Sequence, residues 1–449
     1  MTFRAASSAV IAVGAAASLG ATATPALRDW PSHGFRAAPA TTEHISVGFA
    51  REEGNDGSSF TDVSSGCRYV LFGSKASNWQ PGDTPGTGDV YIRDRSSGSL
   101  ELVSRGVDGR PANGRTDAFD MSTDGRFVVM TSSATNLVDD AVGAGLFIRD
   151  RSLGMTQRIT LVSATADRLD VTDAAISDDG RYVMLASTAS SVLGETDPQG
   201  HEGSYDAFVT DRATGVTTVA SVQHDGGASW IEPNSPSPML SRDGRYVMFE
   251  STDPALVRHD TNGQSDVFVR DLRRGTTKRV STDARGRQFD AGAKRAVMSP
   301  NGLRYGFLVR ASLSPKDDDR GWDIYVKDLR SGRIEFASPS RVHGPRRDPV
   351  LPQSMSAKGR HIAFLTRDDD FQPRDTDGRL DLFVRDLRTG TTRLASLKAD
   401  GGAATAHVYG GTLSADASCV GFTTSQANRL SPSDTNQLAD AYVRVDSRF

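Results

Sequence analysis

Ser241-Arg-Asp-Gly-Arg-Tyr-Val-Met-Phe-Glu-Ser251 is the stretch on which the reading of this chain turns. It is followed by Asp260-Thr-Asn-Gly-Gln-Ser-Asp-Val-Phe-Val-Arg-Asp271 and by Thr276-Thr-Lys-Arg-Val-Ser281. Runs rich in β-branched and aromatic residues, bounded by Asp, Asn and Gly, predict three β-strands joined by turns. The chain repeats this unit, with drift, seven times.

Aligned on the aromatic of Gly-Arg-Tyr-Val, the equivalents of Tyr246 are Tyr69, Phe127, Tyr182, Tyr305 and His361, with Cys419 in the last copy. The Asp266–Asp271 run recurs at 89–94, 146–150, 206–211, 323–328 and 381–386, and as Asp440–Val445 at the end. The spacing is about 58 residues, longer than the ~40–50 of common propeller repeats, so the excess falls in loops. Asp-Gly at 124–125, 179–180 and 243–244 supplies the positive φ of a tight hairpin. A second turn pairs Asp94, Asp150, Asp211, Asp271, Asp328 and Asp386 with a Gly four residues on.

The seventh copy ends at Phe449, just after its third strand. The missing fourth strand is at the other end of the chain. Thr41-Thr-Glu-His-Ile-Ser46 matches Thr276–Ser281 and Thr391–Ser396. An N-terminal strand that completes the last blade closes the ring and removes the exposed edge of an open array. The expected fold is all-β: a seven-bladed β-propeller over residues 43–449, closed by a strand from each terminus. Second strands such as Tyr69–Phe72 and Tyr182–Leu185 are continuous apolar runs, which predicts burial on both faces.

The unit Ser-x-Asp-Gly-Arg-Tyr-Val-x-Phe-x-Ser at 241–251 resembles the TolB-type, WD40-like propeller repeat of exported bacterial proteins. The resemblance covers residues 43–449, and the Asp260–Asp271 and Thr389–Ser396 segments are similar to those of exported actinobacterial members. It implies a binding or scaffold propeller. TolB itself is six-bladed and carries an extra N-terminal domain, so its partners are not carried over.

Lys and Arg total 52 and Asp and Glu 56, for a net charge of −4, with no basic stripe of the kind a nucleic-acid binder shows. Residues 1–23 read as a secretory leader: Arg4, a small apolar run from Ala9 to Leu19, and Ala21-Thr22-Ala23 as a cleavage site. Residues 24–42 read as a linker, and no later stretch is long enough to span a bilayer. The expectation is a secreted monomer. The two cysteines, Cys67 and Cys419, fall in blades that are neighbours in a closed ring. Export permits a disulfide between them. Their places in the repeat differ by two residues, so two separate buried thiols are the competing reading.

Three groups of residues carry candidate chemistry. The first is a ring of acidic loops between second and third strands: Asp260, Asn262 and Asp266; Asp317, Asp319 and Asp323; Asp375, Asp377 and Asp381. Asp434 and Asp440 are similarly placed, and the first blade keeps only Asp83 and Asp89. Alternating oxygen side chains around a Gly suit a hard cation such as calcium. Turn capping by Asp and Asn explains the same pattern without a metal. The second group lies in the connections between blades, on the face that shares those loops: Trp230, Glu232, Arg295, His343, Arg346, Arg347, His407 and Tyr409. Aromatics with Arg are typical of binding hot spots. They suit a protein or carbohydrate ligand.

The third is catalysis. Neither Gly-x-Ser-x-Gly nor His-Glu-x-x-His occurs. Five of the eight histidines (201, 224, 259, 343 and 407) fall in loops of the expected ligand face. The alternative function they allow is a propeller-type polysaccharide lyase or hydrolase.

Overall fold

The repeat folds seven times into the same four-stranded antiparallel sheet. The computed structural model describes residues 40–83, 86–139, 144–159, 171–188, 205–227, 229–231, 238–317, 321–339, 350–371, 378–424 and 430–449. The chain divides into two units, Met1–Ala38 and Pro39–Phe449. The first unit, with the expected leader, lies outside the described residues.

The first strand, β1 (Thr41–His44), starts inside the stretch assigned to the linker. Blade one is β2 (Ser58–Val63), β3 (Tyr69–Ser74), β4 (Asp89–Asp94) and β5 (Leu100–Leu102). Blade two is β6 (Thr116–Met121), β7 (Phe127–Ser132), β8 (Gly145–Asp150) and β9 (Met155–Arg158). Blade three is β10 (Val171–Ile176), β11 (Tyr182–Thr188), β12 (Tyr205–Asp211) and β13 (Val216–Val219). Blade four is β14 (Met239–Leu240), β15 (Tyr246–Ser251), β16 (Asp266–Asp271) and β17 (Thr276–Arg279). Blade five is β18 (Ala293–Met298), β19 (Arg304–Val309), β20 (Asp323–Asp328) and β21 (Ile334–Phe336). Blade six is β22 (Leu351–Met355), β23 (His361–Thr366), β24 (Asp381–Asp386) and β25 (Thr391–Leu394). Blade seven is β26 (Val408–Leu413), β27 (Cys419–Thr424) and β28 (Asp440–Val445), completed by β1.

The closure is the expected one. Strand β1 pairs antiparallel with β28, from Thr41 opposite Val445 to His44 opposite Tyr442. Cys67 and Cys419 form a disulfide between blades one and seven, with Cα atoms 6.1 Å apart. The two-residue offset is absorbed locally. Cys67 sits in the turn Ser65–Cys67 at φ +60°, whereas Cys419 opens β27.

Apolar side chains explain why both faces of each sheet are dry. In blade one, Val70, Phe72 and Tyr91 pack with Cys419, Ala441 and Val443 of blade seven. The alternate residues Leu71, Val90 and Ile92 pack with Met121, Val128 and Met130 of blade two. Period-2 side chains thus feed two different interfaces. Seven such layers, one per pair of neighbouring blades, make up the core.

The Asp-Gly turns carry a second constraint. Gly244 has φ +68°, and a Cβ there would stand 2.2 Å from the Tyr182 ring of the preceding blade. Gly125 is set against Tyr69 and Gly180 against Phe127 in the same way. Glycine is therefore needed for backbone conformation and for blade stacking at once.

Candidate functional site

The first strands of the blades stand at the centre, where neighbouring ones such as β6 and β10 or β18 and β22 contact each other. Two mouths result. One carries the loops between second and third strands and the connections between blades. The other carries the first hairpin turn of each blade. There, backbone bonds run from turn to turn: Ser65 N–H donates to Thr123 O, Asp178 N–H to Arg242 O, Arg242 N–H to Pro300 O and Ala357 N–H to Ala415 O.

At the first mouth, the last Asp of each acidic loop has a repeated job. The Ser281 hydroxyl donates to Asp266 at 2.5 Å and accepts the Val267 N–H at 3.0 Å. The same clamp joins Ser221 to Asp206, Ser338 to Asp323, Ser396 to Asp381 and Ser104 to Asp89. In blade seven Ser46, from the N-terminal segment, donates to Asp440 at 2.6 Å. One carboxylate oxygen of each clamp is thus committed to tying the third strand to the fourth.

The other loop oxygens differ from blade to blade. In blade four, Arg279 lies 3.0 Å from Asp260 and 3.4 Å from Asp266, and Asn262 donates to Asp266 at 2.9 Å. Burial raises the Asp266 carboxyl to about 6; the Ser281 hydroxyl, Asn262 and Arg279 oppose the shift, and Asp260 adds to it. In blade five, the Tyr325 hydroxyl donates to Asp317 at 2.5 Å. Asp319, Asp375 and Asp377 lie outside the described residues. Among the described residues, no three His, Cys, Asp or Glu side chains are grouped to hold one metal ion.

Of the expected ligand residues, Glu232, His343, Arg346 and Arg347 lie outside the described residues. His407 and Tyr409 are neighbours, with ring centroids 6.4 Å apart. His407 Nδ1 accepts the Leu380 N–H at 3.0 Å, which leaves the proton of the neutral ring on Nε2. Tyr409 is 50 % exposed. The Trp230 indole donates to Thr252 Oγ1 at 3.3 Å. Arg295 is exposed and has φ +52°. It sits in a bulge of β18, between Lys294 and Val297. The matching bulge of β26, between Tyr409 and Thr412, puts Gly410 at the same place with φ +67°. Beside Arg295, the Lys294 ammonium lies over the Trp322 ring, 4.1 Å from its centroid. Trp322 was missed in the sequence because it falls inside a loop read for its acids.

At the second mouth lies a cavity of about 180 Å³ that the sequence did not reveal. All seven first strands line it. One wall is apolar, with Met239, Leu240, Met298 and Met355. The other carries Asp62, Asp120, Asp173 and Arg242. Arg242 crosses from blade four to Asp120 at 2.9 Å, to Asp62 at 3.5 Å and to the Met121 carbonyl at 2.8 Å. Burial opposes its charge, but Asp120, Asp62 and Asp178 more than offset that, and its pKa is raised. Burial pushes Asp62 up to about 7, with Asp120 adding and Arg242 opposing. Burial pushes Asp173 up to about 8, against the Ala174 N–H that it accepts at 2.7 Å. Asp62 and Asp120 also accept the Met121 and Ile176 N–H groups of the next blade. These acids therefore hold blades together as well as line the channel. Their sequence signal is weak, since each is a single Asp in a strand that is otherwise ordinary.

Blade six holds a constellation that resembles a hydrolytic triad. Ser356 Oγ is 3.5 Å from His361 Nδ1, and His361 Nε2 is 3.9 Å from Asp386. The repeat explains it. Ser356 Oγ accepts the His361 N–H at 3.0 Å, as Ser241 accepts from Tyr246 in blade four. Asp386 is gripped by Arg360 at 2.6 and 2.9 Å, as Asp271 is by Arg245. All three residues are buried, and a 3.9 Å separation is too long for the proton transfer such a triad performs.

The fold is a seven-bladed β-propeller. The fold is similar to the propeller domain of the trilobed protease from Pyrococcus furiosus, at 9 % identity and TM-score 0.52, covering 87 % of this chain and 94 % of that one. It is similar to an oligogalacturonate lyase in complex with manganese, at 14 % identity and TM-score 0.50, covering 92 % and 95 %. TolB from Acinetobacter baumannii matches at 14 % identity and TM-score 0.38, over 75 % of this chain and 65 % of that chain's length. Identities this low show the fold alone. No family model matches the chain, and no curated protein does.

Proposed function

We propose that this chain is an exported binding propeller whose ligand, a protein or a glycan, docks at the mouth that carries Arg295, His407 and Tyr409. The observation that carries this reading is the conformation of Arg295. An exposed, charged side chain occupies a left-handed position that blade seven gives to Gly410. Holding a non-glycine residue there costs about 1–3 kcal/mol, and such strain collects at ligand sites. The neighbouring Lys294–Trp322 pair and the exposed Tyr409 ring add cationic and stacking surface. Export is supported by the leader pattern of residues 1–23 and by the Cys67–Cys419 disulfide, which an oxidising compartment permits. No helix among the described residues is long and apolar enough to cross a membrane.

Arg295→Gly tests the reading, because it relieves strain and removes the cation together. The probe is a panel of neutral and uronate-containing oligosaccharides, with binding read by calorimetry and products by chromatography. Binding that Arg295→Gly weakens at least tenfold, in a protein as stable as wild type or more so, supports the proposal. Binding that the variant leaves unchanged overturns the assignment of this mouth. Turnover of any panel member would instead establish the polysaccharide-cleaving alternative.

A further inference from the structure

The acidic loops share one spacing, and blade four shows what it accommodates. In each of five blades an Asp precedes the clamp Asp by six residues: Asp83/Asp89, Asp260/Asp266, Asp317/Asp323, Asp375/Asp381 and Asp434/Asp440. In blade four a positive group lies between the two carboxylates, the Arg279 guanidinium. Arg279 pairs with Phe268, two residues past the clamp Asp. The residue in that register position of blade seven is His44, opposite Tyr442.

Histidine is shorter than arginine and satisfies only part of the pair. His44 Nε2 lies 3.1 Å from Asp440 Oδ1, which also takes the Ser46 hydroxyl. Asp434 Oδ2 accepts the Tyr442 hydroxyl at 2.7 Å. Among the described residues, Asp440 Oδ2 and Asp434 Oδ1 have no hydrogen-bond partner. Each of these residues is 2 % exposed. A buried carboxylate oxygen without a partner is unfavourable unless a proton or a cation meets it.

We propose that Asp434 and Asp440 bind a hard divalent cation of the calcium type, at the position that the Arg279 guanidinium takes in blade four. Oxygen donors and net negative charge select such an ion. The seam gives the site its consequence. Asp434 and Asp440 belong to the C-terminal end of the ring, and Ser46 and His44 to the N-terminal strand that closes it. A cation here strengthens the closure of the propeller. Nothing in this inference depends on the ligand proposed for the Arg295 mouth.

The experiment uses the mature chain, stripped with chelator and then titrated with calcium. Terbium is the direct probe, since Tyr442 donates to Asp434 and can sensitise its luminescence at the site. The expected result is tyrosine-sensitised terbium emission displaced by calcium, and a calcium-dependent rise in Tm. Both are lost in Asp434→Asn. His44→Arg supplies the cation from within, as blade four does. It is expected to hold the Tm of the calcium-loaded protein in the presence of chelator and to lose the calcium response. Terbium emission and a Tm response that persist unchanged in Asp434→Asn and His44→Arg would overturn the site. A wild-type protein that neither binds terbium nor responds to calcium would overturn it too.

Discussion

Cys67 and Cys419 are 352 residues apart in the chain and are joined by a disulfide across the seam between the first and last blades. The bridge adds to the pairing of β1 with β28 inside blade seven, so covalent and hydrogen-bonded closure reinforce each other. A cross-link over so long a loop removes closure entropy worth up to about 5 kcal/mol from the unfolded chain. Reduction, or Cys67→Ser with Cys419→Ser, is expected to lower Tm by several degrees while leaving the far-ultraviolet spectrum native. Calorimetry with and without reductant checks this, and an unchanged Tm would show that strand pairing alone closes the ring.

Asp173 predicts a pH dependence. Its carboxyl is raised to about 8 in the folded protein by burial, against about 3.9 in an unfolded chain. The folded state holds the proton more tightly, so unfolding releases it between those values. The contribution is therefore fully present below about pH 4 and lost as pH rises toward 8. Asp173→Asn should be close to neutral at pH 4.5 and stabilising by about 1–3 kcal/mol at pH 8. Urea unfolding at the two pH values measures the difference. A variant destabilised equally at both would show that Asp173 is paired in a way the cavity geometry does not reveal.

Arg242 is expected to behave in the opposite sense. It is the cation that faces Asp62 and Asp120 across the channel. Arg242→Met leaves those buried carboxylates without it, and breaking a buried pair from one side costs about 3–5 kcal/mol. The loss should be larger at pH 8 than at pH 5, because protonation of Asp62, raised to about 7, relieves it. Chemical denaturation across that range is the measurement.

Gly244→Ala should destabilise more than an ordinary turn substitution. The positive φ alone costs about 1 kcal/mol, and the added methyl would stand 2.2 Å from the Tyr182 ring. We expect about 2–4 kcal/mol in total. Gly263→Ala is the control: its φ is +61° but nothing lies within 4 Å of the added methyl. Equal losses in the two variants would show that only the backbone, not blade stacking, requires Gly244.

Ser281→Ala tests the clamp. It removes the donor to Asp266 and the acceptor for Val267 N–H, both buried. Leaving such groups unsatisfied costs about 1–3 kcal/mol. The same change at Ser396 in blade six should cost a similar amount, since its bonds to Asp381 and Leu382 repeat the geometry. Thermal unfolding of both variants checks the equivalence.

Blade number, strand pairing and the two-ended closure were legible without coordinates, because each rests on short-range patterns repeated in phase. An Asp-Gly turn declares its backbone wherever it stands. An apolar run such as Tyr246–Phe249 declares burial on both faces. The ligand face was only partly legible. Arg295 could be named as a loop cation, but its left-handed φ and its equivalence to Gly410 follow from bulge register, which composition does not carry. The acidic loops were legible as a repeated pattern, though their chemistry was not. Whether a loop Asp meets an arginine, a tyrosine or no partner depends on the residue opposite it on the next strands: Arg279 in blade four, Tyr325 in blade five, His44 and Tyr442 in blade seven.

The sequence by itself determined the architecture, since propeller blades are built from local hairpins and seven copies of one hairpin pattern admit few arrangements. It also determined which blades meet at the seam, and so which two cysteines could come together. Only the tertiary structure decided what the charged residues do. Asp62, Asp120, Asp173 and Arg242 come from four different blades and become one group only where the first strands converge. Asp434 and His44 stand at opposite ends of the chain until the ring closes. Electrostatic partnership acts over a few ångströms in space, whatever the distance along the chain, and burial sets its strength.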